Sequence, residues 1–463
     1  MADLVLLSAV LAIAAATRLV NLGYPDRLVF DEAYYAQDAC TYLRLGRDVC
    51  GGIGEGSWMH PPLGKWFIAV GIALGGYNPS AWRLPAVVAG LVCVAALYIV
   101  TRRLTGSTLA AGCAAFVIAL DPLSIVSSRV AMLDIFVVAA GLLAVMFAVL
   151  HRDSIASRTT ADRRPVVTPW LIGAGLACGI AVATKWSGIL ALGTVTILTL
   201  AWELDARAQG ENRVRAIGAI LPSIVLCLVI VPAIVYVASY AGRLHGELLA
   251  APWQQDAWPR VFGGRQLRMA WFHFGLKADH PYESPAWSWL LGKRAVTYFF
   301  EVDPDGTYRH ILAFADIVIW LPGVAAAGWA AVTLAVRRQV WRSEFVVVLA
   351  VAGSYLPWLV LSFGRPFTFL HYVLPTIPFL ALAIGWALSR LSPRTRRWAA
   401  VVTAVVAISV AAFWAPLIYG WPLSYDEWRT RIIFRDCTAK ELVDGRLQPR
   451  PKGGPPPDGW CWV

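Results

Sequence analysis

The chain has 463 residues, 58% of them hydrophobic and only 15% charged. That is more apolar surface than a water-soluble core can hide, so this is a polytopic membrane protein. Its formal net charge of +11 does not point to nucleic acid, because the arginines gather at the ends of apolar runs, where they record membrane topology.

Apolar runs of roughly 20 residues, long enough to cross a bilayer, lie near 4–22, 83–101, 106–120, 131–150, 168–185, 187–203, 216–238, 311–336, 345–362, 369–389 and 398–418. The first lacks the basic flank and small-residue cleavage site of a signal peptide and reads as a span. Leu63 to Gly75 is too short and follows Pro61 and Pro62, so it reads as a juxtamembrane or re-entrant helix in the first outer loop, not a span. The expected fold is therefore all-α, with about eleven transmembrane helices. Basic clusters at Arg102/Arg103, Arg152–Arg164, Arg207–Arg215, Arg337–Arg342 and Arg390–Arg397 test this count. With the N-terminus cytoplasmic they all fall in the cytoplasm; counting Leu63–Gly75 as a span would turn every one of them outward. The reading gives a transmembrane domain over 1–418, a first outer loop at 23–82, a large outer loop at 239–310 and an outer tail at 419–463. No Walker A loop or nucleotide fold occurs, which leaves ATP-driven transport without support.

The unusual chemistry lies in the outer segments. Adjacent carboxylates, Asp31 and Glu32, follow the first span. Residue types alone favour a solvated loop end or a helix N-cap, but the pair is also placed to take a proton from a substrate at the membrane surface. His60-Pro-Pro-Leu-Gly-Lys65-Trp66 closes this loop, with His60 and Lys65 facing an anionic headgroup or Lys65 snorkelling as an interfacial anchor. Asp121-Pro122 opens a tight turn that leads to Ser128-Arg129 and Met132-Leu-Asp134. Arg129 and Asp134 bracket the entrance of an apolar span, either as an ion pair that orients helices or as functional groups. Lys185 ends the fifth span, where a phosphate or Asp134 would be its natural partner.

The large loop holds His273 and then His280-Pro-Tyr282-Glu-Ser-Pro-Ala-Trp287-Ser-Trp289, aromatic enough for an interfacial belt or a carbohydrate- and lipid-binding surface. Arg365, His371 and Tyr372 lie at the last outer turn and are expected to face outward. These His and acidic residues have no metal-ligand spacing. Cys93, Cys113, Cys178 and Cys227 fall inside spans as packing residues. Cys40, Cys50, Cys437 and Cys461 fall in outer segments, where Cys40–Cys50 and Cys437–Cys461 are the local pairings and a cross-link from the tail to the first loop is the alternative.

As an ordered series, these stretches resemble the protein O-mannosyltransferase family of GT-C glycosyltransferases over essentially the whole chain. The series runs Asp31-Glu32, His60-Pro-Pro-Leu-Gly-Lys65, Ser128-Arg129 with Met132-Leu-Asp134, Lys185-Trp-Ser-Gly188, His280 to Trp289, and His371-Tyr372. Eukaryotic members carry a β-trefoil (MIR) insert in the large outer loop. Residues 239–310 are too short for it, which with the arginine-rich composition points to an actinobacterial-type member. Gln37 stands where related bacterial sequences often carry a lysine and receives no role.

The resemblance implies an inverting transfer of mannose from a polyprenyl-phosphate mannose donor, decaprenyl in actinobacteria, to Ser or Thr of secreted proteins. It implies a multi-pass plasma-membrane enzyme that acts on the outer face without a metal or other cofactor. Asp31 is the expected base, and Glu32 would orient the acceptor or an outer-loop arginine. Arg129, Lys185 and Arg365 are the candidate phosphate cations, with His280 and His371 as donors. The tail from Tyr425, with Trp460, is read as a cover for the active site or a contact to the secretion translocon. Two alternatives stand beside this: a GT-C transferase with a lipid or lipoglycan acceptor, and a lipid flippase or transporter. A transporter needs a route through the membrane and repeated halves, whereas here the polar residues gather at one face and no repeat is visible.

Overall fold

The computed structural model describes residues 1–51, 57–156, 167–207, 213–242, 253, 258–276, 280, 282–364, 367–432, 440–443 and 446–449. Helices dominate. Helix α1 (Ala2–Leu19) leads into a segment with α2 (Glu32–Tyr42), α3 (Arg47–Cys50) and α4 (Leu63–Gly75). Then come α5 (Pro79–Thr105), α6 (Thr108–Leu120), α7 (Pro122–Ser127), α8 (Leu133–Ala156) and α9 (Pro169–Thr184). A 3₁₀ turn at Trp186–Gly188 opens α10 (Ile189–Arg207), and α11 (Arg213–Val225) continues through a π turn into α12 (Val231–Ala238). After α13 (Trp258–Gly275), strands β1 (Val296–Val302) and β2 (Tyr308–Ala313) form an antiparallel hairpin. The chain closes with α14 (Ile317–Arg337), α15 (Ser343–Gly364), α16 (Ile377–Ser389), α17 (Pro393–Tyr419), the short α18 (Tyr425–Arg431), and the paired strands β3 (Lys440–Val443) and β4 (Arg446–Pro449).

Among the described residues, nine helices are long and apolar enough to cross a membrane. The expected runs at 106–120 and 168–185 form the shorter α6 and α9, and Leu63–Gly75 is a short apolar helix as well. Polar side chains start these helices by accepting the first free amides: Asn78 for α5, Ser107 for α6, Asp121 for α7, Thr168 for α9, Asp316 for α14 and Ser392 for α17. Two boundaries differ from the sequence reading. The run expected as a helix from 311 begins as β2, and α14 starts only after the Asp316 cap. The turn expected at 121–130 contains α7, which Asp121 caps from the end of α6.

Helix α8 is the centre of the bundle, buried along most of its length and packed on α5, α9 and α10. Small residues allow the closest approaches. A Cβ at Gly175 of α9 would collide with the Cys227 carbonyl in the π turn. Two buried arginines tie α1 to the turn after α6. Arg18 donates to the Ser124 and Ser128 hydroxyls and to the Ile118 and Ala119 carbonyls at 3.0–3.2 Å. Arg129 donates in return to the carbonyls of Arg18, Val20 and Asn21 at 2.8, 2.6 and 3.2 Å. Each arginine satisfies carbonyls that a helix end leaves without partners.

The hairpin β1–β2 carries α18 on its outer side. The Trp428 indole N–H donates to His310 Nδ1 at 3.1 Å, and His310 Nε2 lies 2.9 Å from the Thr297 hydroxyl. This buried imidazole, which desolvation holds neutral down to about 3, anchors the start of the tail to the outer layer.

Candidate active site

The site forms where the segment after α1 meets the start of α8, the end of α9 and the 3₁₀ turn that leads into α16. Asp31 is the N-cap residue of α2, yet its side chain makes no capping bond. The carboxylate instead accepts from the Tyr35 hydroxyl, one helical turn later, at 3.1 Å. Asp31 is half-buried. Burial lifts its carboxyl to about 6, with the Lys185 ammonium and the Tyr35 hydroxyl pulling down and Asp134 adding a smaller upward push. Such a group is ionised at neutral pH and still basic enough to take a proton.

The backbone that presents Asp31 is strained and then held. Phe30 has φ +47°, a left-handed conformation that is costly for a bulky residue. Its ring stacks on Tyr298 of β1 at 4.9 Å and meets His371 edge-on at 6.0 Å. Glu32 closes the other side. Its carboxylate takes two bonds from Arg83 at 2.9 Å, one from the Val29 amide at 3.1 Å and one from the Ala131 amide at 2.9 Å. Arg83 also reaches the Leu22, Pro25 and Arg27 carbonyls. Each Glu32 oxygen thus accepts one bond from Arg83 and one from a backbone amide. The arginine it orients, Arg83, opens α5 and belonged to no motif.

Asp134 begins α8 and Lys185 ends α9. Because these helices pack side by side, the ammonium reaches both carboxylate oxygens, at 2.9 and 3.0 Å. Lys185 also sits 4.6 Å from the Tyr372 ring centroid. The partner of Asp134 is thus Lys185 and not Arg129, which caps α1 and lies 4.7 Å over the Tyr419 ring. Lys65 is likewise engaged: it is fully buried, 3.1 Å from Asp38, which also accepts from the Ser57 hydroxyl and amide. It neither snorkels nor faces a headgroup.

His371 was expected to face outward, but it is buried, 3% exposed. It stacks on Phe369 at 5.5 Å and meets Tyr372 at 4.9 Å. Just before it, two distant segments pair in a strand-like way. The Ser284 amide donates to the Thr368 carbonyl and the Thr368 hydroxyl to the Ser284 carbonyl, both at 2.8 Å. That contact folds the His280 stretch over 367–372 and sets the His280 ring 5.0 Å from Phe369. Among the described residues, His371 Nδ1 is buried with no hydrogen-bond partner. Burial and the charge of Arg294 lower the His280 pKa.

His60 lies against Tyr35 at 6.0 Å and against His273 at 5.5 Å, on the same rim as Trp186. Tyr282 is half-buried and donates its amide to His280 Nδ1 at 3.1 Å. Trp287 is 52% exposed beneath Lys293, away from this cluster's hydrogen bonds. Asp31, Tyr35, Asp134, Lys185, His371 and Tyr372 thus form the inner site, with His60 and His280 at its rim. Tyr35 and Tyr298 were missed by the sequence reading; the four-residue spacing from Asp31 was the available signal for Tyr35. A disulfide joins Cys40 to Cys50, tying α2 to α3. Arg365, Cys437, Cys461 and the tail beyond 449 lie outside the described residues. Among the described residues no group of three or more His, Cys, Asp or Glu could hold a metal ion.

A bundle of membrane helices that collects a carboxylate, an ion-paired lysine and aromatic side chains at one end has the build of a membrane-embedded GT-C glycosyltransferase. Residues 8–249 match the dolichyl-phosphate-mannose-protein mannosyltransferase family, and 260–436 match the C-terminal four-transmembrane region of protein O-mannosyltransferases. The chain belongs to the protein O-mannosyltransferase family. The polyprenol-phosphate-mannose–protein mannosyltransferase of Mycolicibacterium smegmatis is 30% identical over 91% of this chain and 90% of its own. The protein of the same name from Mycobacterium tuberculosis is 30% identical over 91% of this chain and 89% of its own. The fold is that of the Saccharomyces cerevisiae protein O-mannosyltransferase complex bound to its sugar donor, with a TM-score of 0.75 at 14% identity over 94% of this chain and 92% of that one.

Proposed function

We propose that this enzyme transfers mannose, with inversion, from a polyprenyl-phosphate mannose donor to Ser or Thr hydroxyls of secreted proteins, on the extracytoplasmic face of the plasma membrane. The observation that carries this reading is the Asp31 carboxylate: free of capping, half-buried, and facing the Asp134–Lys185 pair. In the reaction the acceptor oxygen attacks the anomeric carbon as the bond to the phosphate oxygen breaks. Asp31 takes the hydroxyl proton, and polyprenyl phosphate leaves with the bonding electrons. A phosphate leaving group needs positive charge rather than an acid. Lys185, oriented by Asp134, is the cation best placed to supply it, with His371 Nδ1 offering a hydrogen bond to substrate. Glu32, Arg83 and Phe30 fix Asp31 in place.

A path for the donor's hydrocarbon chain fits the same geometry. An apolar cleft between α8, α10, α15 and α16, lined by Val138, Leu142, Leu190, Trp358 and Phe379, reaches Ser187, two residues from Lys185. Trp358 packs on Tyr372 at 5.0 Å, so the cleft runs from the cation toward the membrane interior. In this orientation the loops at 23–82 and 239–310 face outward and the five basic clusters face the cytoplasm, which the positive-inside rule supports.

The test is a reaction of purified enzyme with polyprenyl-phosphate mannose and a Thr-rich peptide in EDTA, with the anomeric configuration of the product read by NMR. An α-mannosyl peptide from the β-linked donor is expected. Donor consumption without a peptide product would move the acceptor to a lipid, and no turnover of any polyprenyl-phosphate sugar would overturn the transferase reading.

A further inference from the structure

Helix α13 takes no part in the chemistry above, yet among the described residues one of its faces is left without a protein partner. Leu267, Trp271 and Phe274 are 64%, 78% and 86% exposed, and their spacing lines them along one side of the helix. Arg260 and Arg268 are exposed as well. Within Trp258–Gly275 there are three arginines and no acidic residue.

The opposite face shows where the helix lies. Tyr236, near the outer end of α12, donates to Gln266 at 2.6 Å, and Tyr240, just beyond α12, donates to the Met269 sulfur at 3.6 Å. Phe262 meets the Tyr240 ring at 5.1 Å, and the Arg265 guanidinium lies 5.9 Å above it. The helix thus packs against the end of a candidate membrane span, which places it near headgroup depth if that span crosses the bilayer. A tryptophan and a phenylalanine exposed at that depth beside arginines, with no acidic residue near them in the helix, match the apolar boundary and negative charge of an anionic bilayer surface.

We infer that α13 is a membrane-surface helix whose Leu267–Trp271–Phe274 stripe enters the lipid boundary while Arg260 and Arg268 take anionic phospholipid headgroups. Beside this stripe the helix also reaches the site: His273 Nε2 lies 2.8 Å from the Met59 carbonyl, next to His60. Lipid bound on one face therefore seats the helix that borders the site rim on the other. The inference is independent of which acceptor receives the sugar.

The test places an environment-sensitive fluorophore on a Leu267→Cys variant of the full-length enzyme. Vesicles of phosphatidylcholine with increasing phosphatidylglycerol are used, and a control without the new cysteine removes signal from native thiols. The emission should shift to the blue as the anionic lipid rises. Arg260→Gln and Arg268→Gln should each move the midpoint to about fivefold more phosphatidylglycerol, and high salt should do the same. Emission that is equal in neutral and anionic vesicles, or unmoved by both substitutions, would overturn the inference. So would a blue shift that appears only with added acceptor peptide or at high enzyme density, since the face would then belong to a polypeptide or to a second copy.

Discussion

The Tyr35 hydroxyl lies 3.1 Å from Oδ2 of Asp31, one turn along α2, and among the described residues it is the only hydrogen bond this carboxylate receives. The bond stabilises the ionised form and so opposes the burial that raises Asp31 to about 6. Tyr35→Phe keeps the ring beside His60 but removes the donor. Asp31 should then titrate higher, by roughly one unit for a hydrogen bond to a charged group. In an initial-rate profile the acid limb should move toward neutral pH, with the rate largely restored in mild alkali. An unmoved limb would separate Tyr35 from the base.

Asp31 and Glu32 should respond in opposite ways to loss of charge. A carboxyl raised from 3.8 to about 6 is one whose charged form the fold disfavours. Its cost is absent below the ordinary value, grows as pH rises between the two values, and is full above about 6. Asp31→Asn should therefore stabilise the enzyme at neutral pH, by on the order of 1–2 kcal/mol after allowance for solvent at a half-buried group. The gain should vanish in acid. Thermal denaturation of the detergent-solubilised protein at the two pH values checks the sign.

Glu32→Gln removes the charge that Arg83 meets while keeping the shape. The buried arginine is left uncompensated, which costs about 3–5 kcal/mol. A marked fall in Tm is expected, together with activity that recovers in proportion to the folded fraction at low temperature. A variant with normal Tm and no turnover would return Glu32 to the chemistry.

The two buried lysines of the outer layer should also separate. Lys185→Gln should lower kcat/KM for the donor by about 10²-fold, the scale of a lost charge-stabilising donor. Lys65→Gln breaks the Asp38–Ser57 cluster instead, so the loss should appear in stability while the donor KM of the folded fraction holds. Donor titrations on both variants distinguish the roles.

Much of the bundle is legible in the chain, because apolar runs and arginine clusters report spans directly. What escapes is whatever depends on packing between distant segments. The apolar stretch around Ile311 reads as the start of a helix, but it pairs with β1, and the helix waits for the Asp316 cap. Asp134 and Lys185 could be linked in advance, since they stand at the same end of consecutive apolar runs. The partner of Glu32 could not, as Arg83 is 51 residues away and looks like an ordinary interfacial arginine. His371 reads as exposed beside its turn; it is buried by Phe30 and Tyr298 from distant segments and by Phe369 and Tyr372 beside it.

Asp31 as the acceptor of the hydroxyl proton is most directly tested by single-turnover transfer from saturating polyprenyl-phosphate mannose to a Thr peptide, comparing wild type with Asp31→Asn. Donor binding should be unchanged, and the transfer step slower by about 10²–10⁴-fold in the variant. Transfer within a few-fold of wild type would contradict it and send the proton elsewhere.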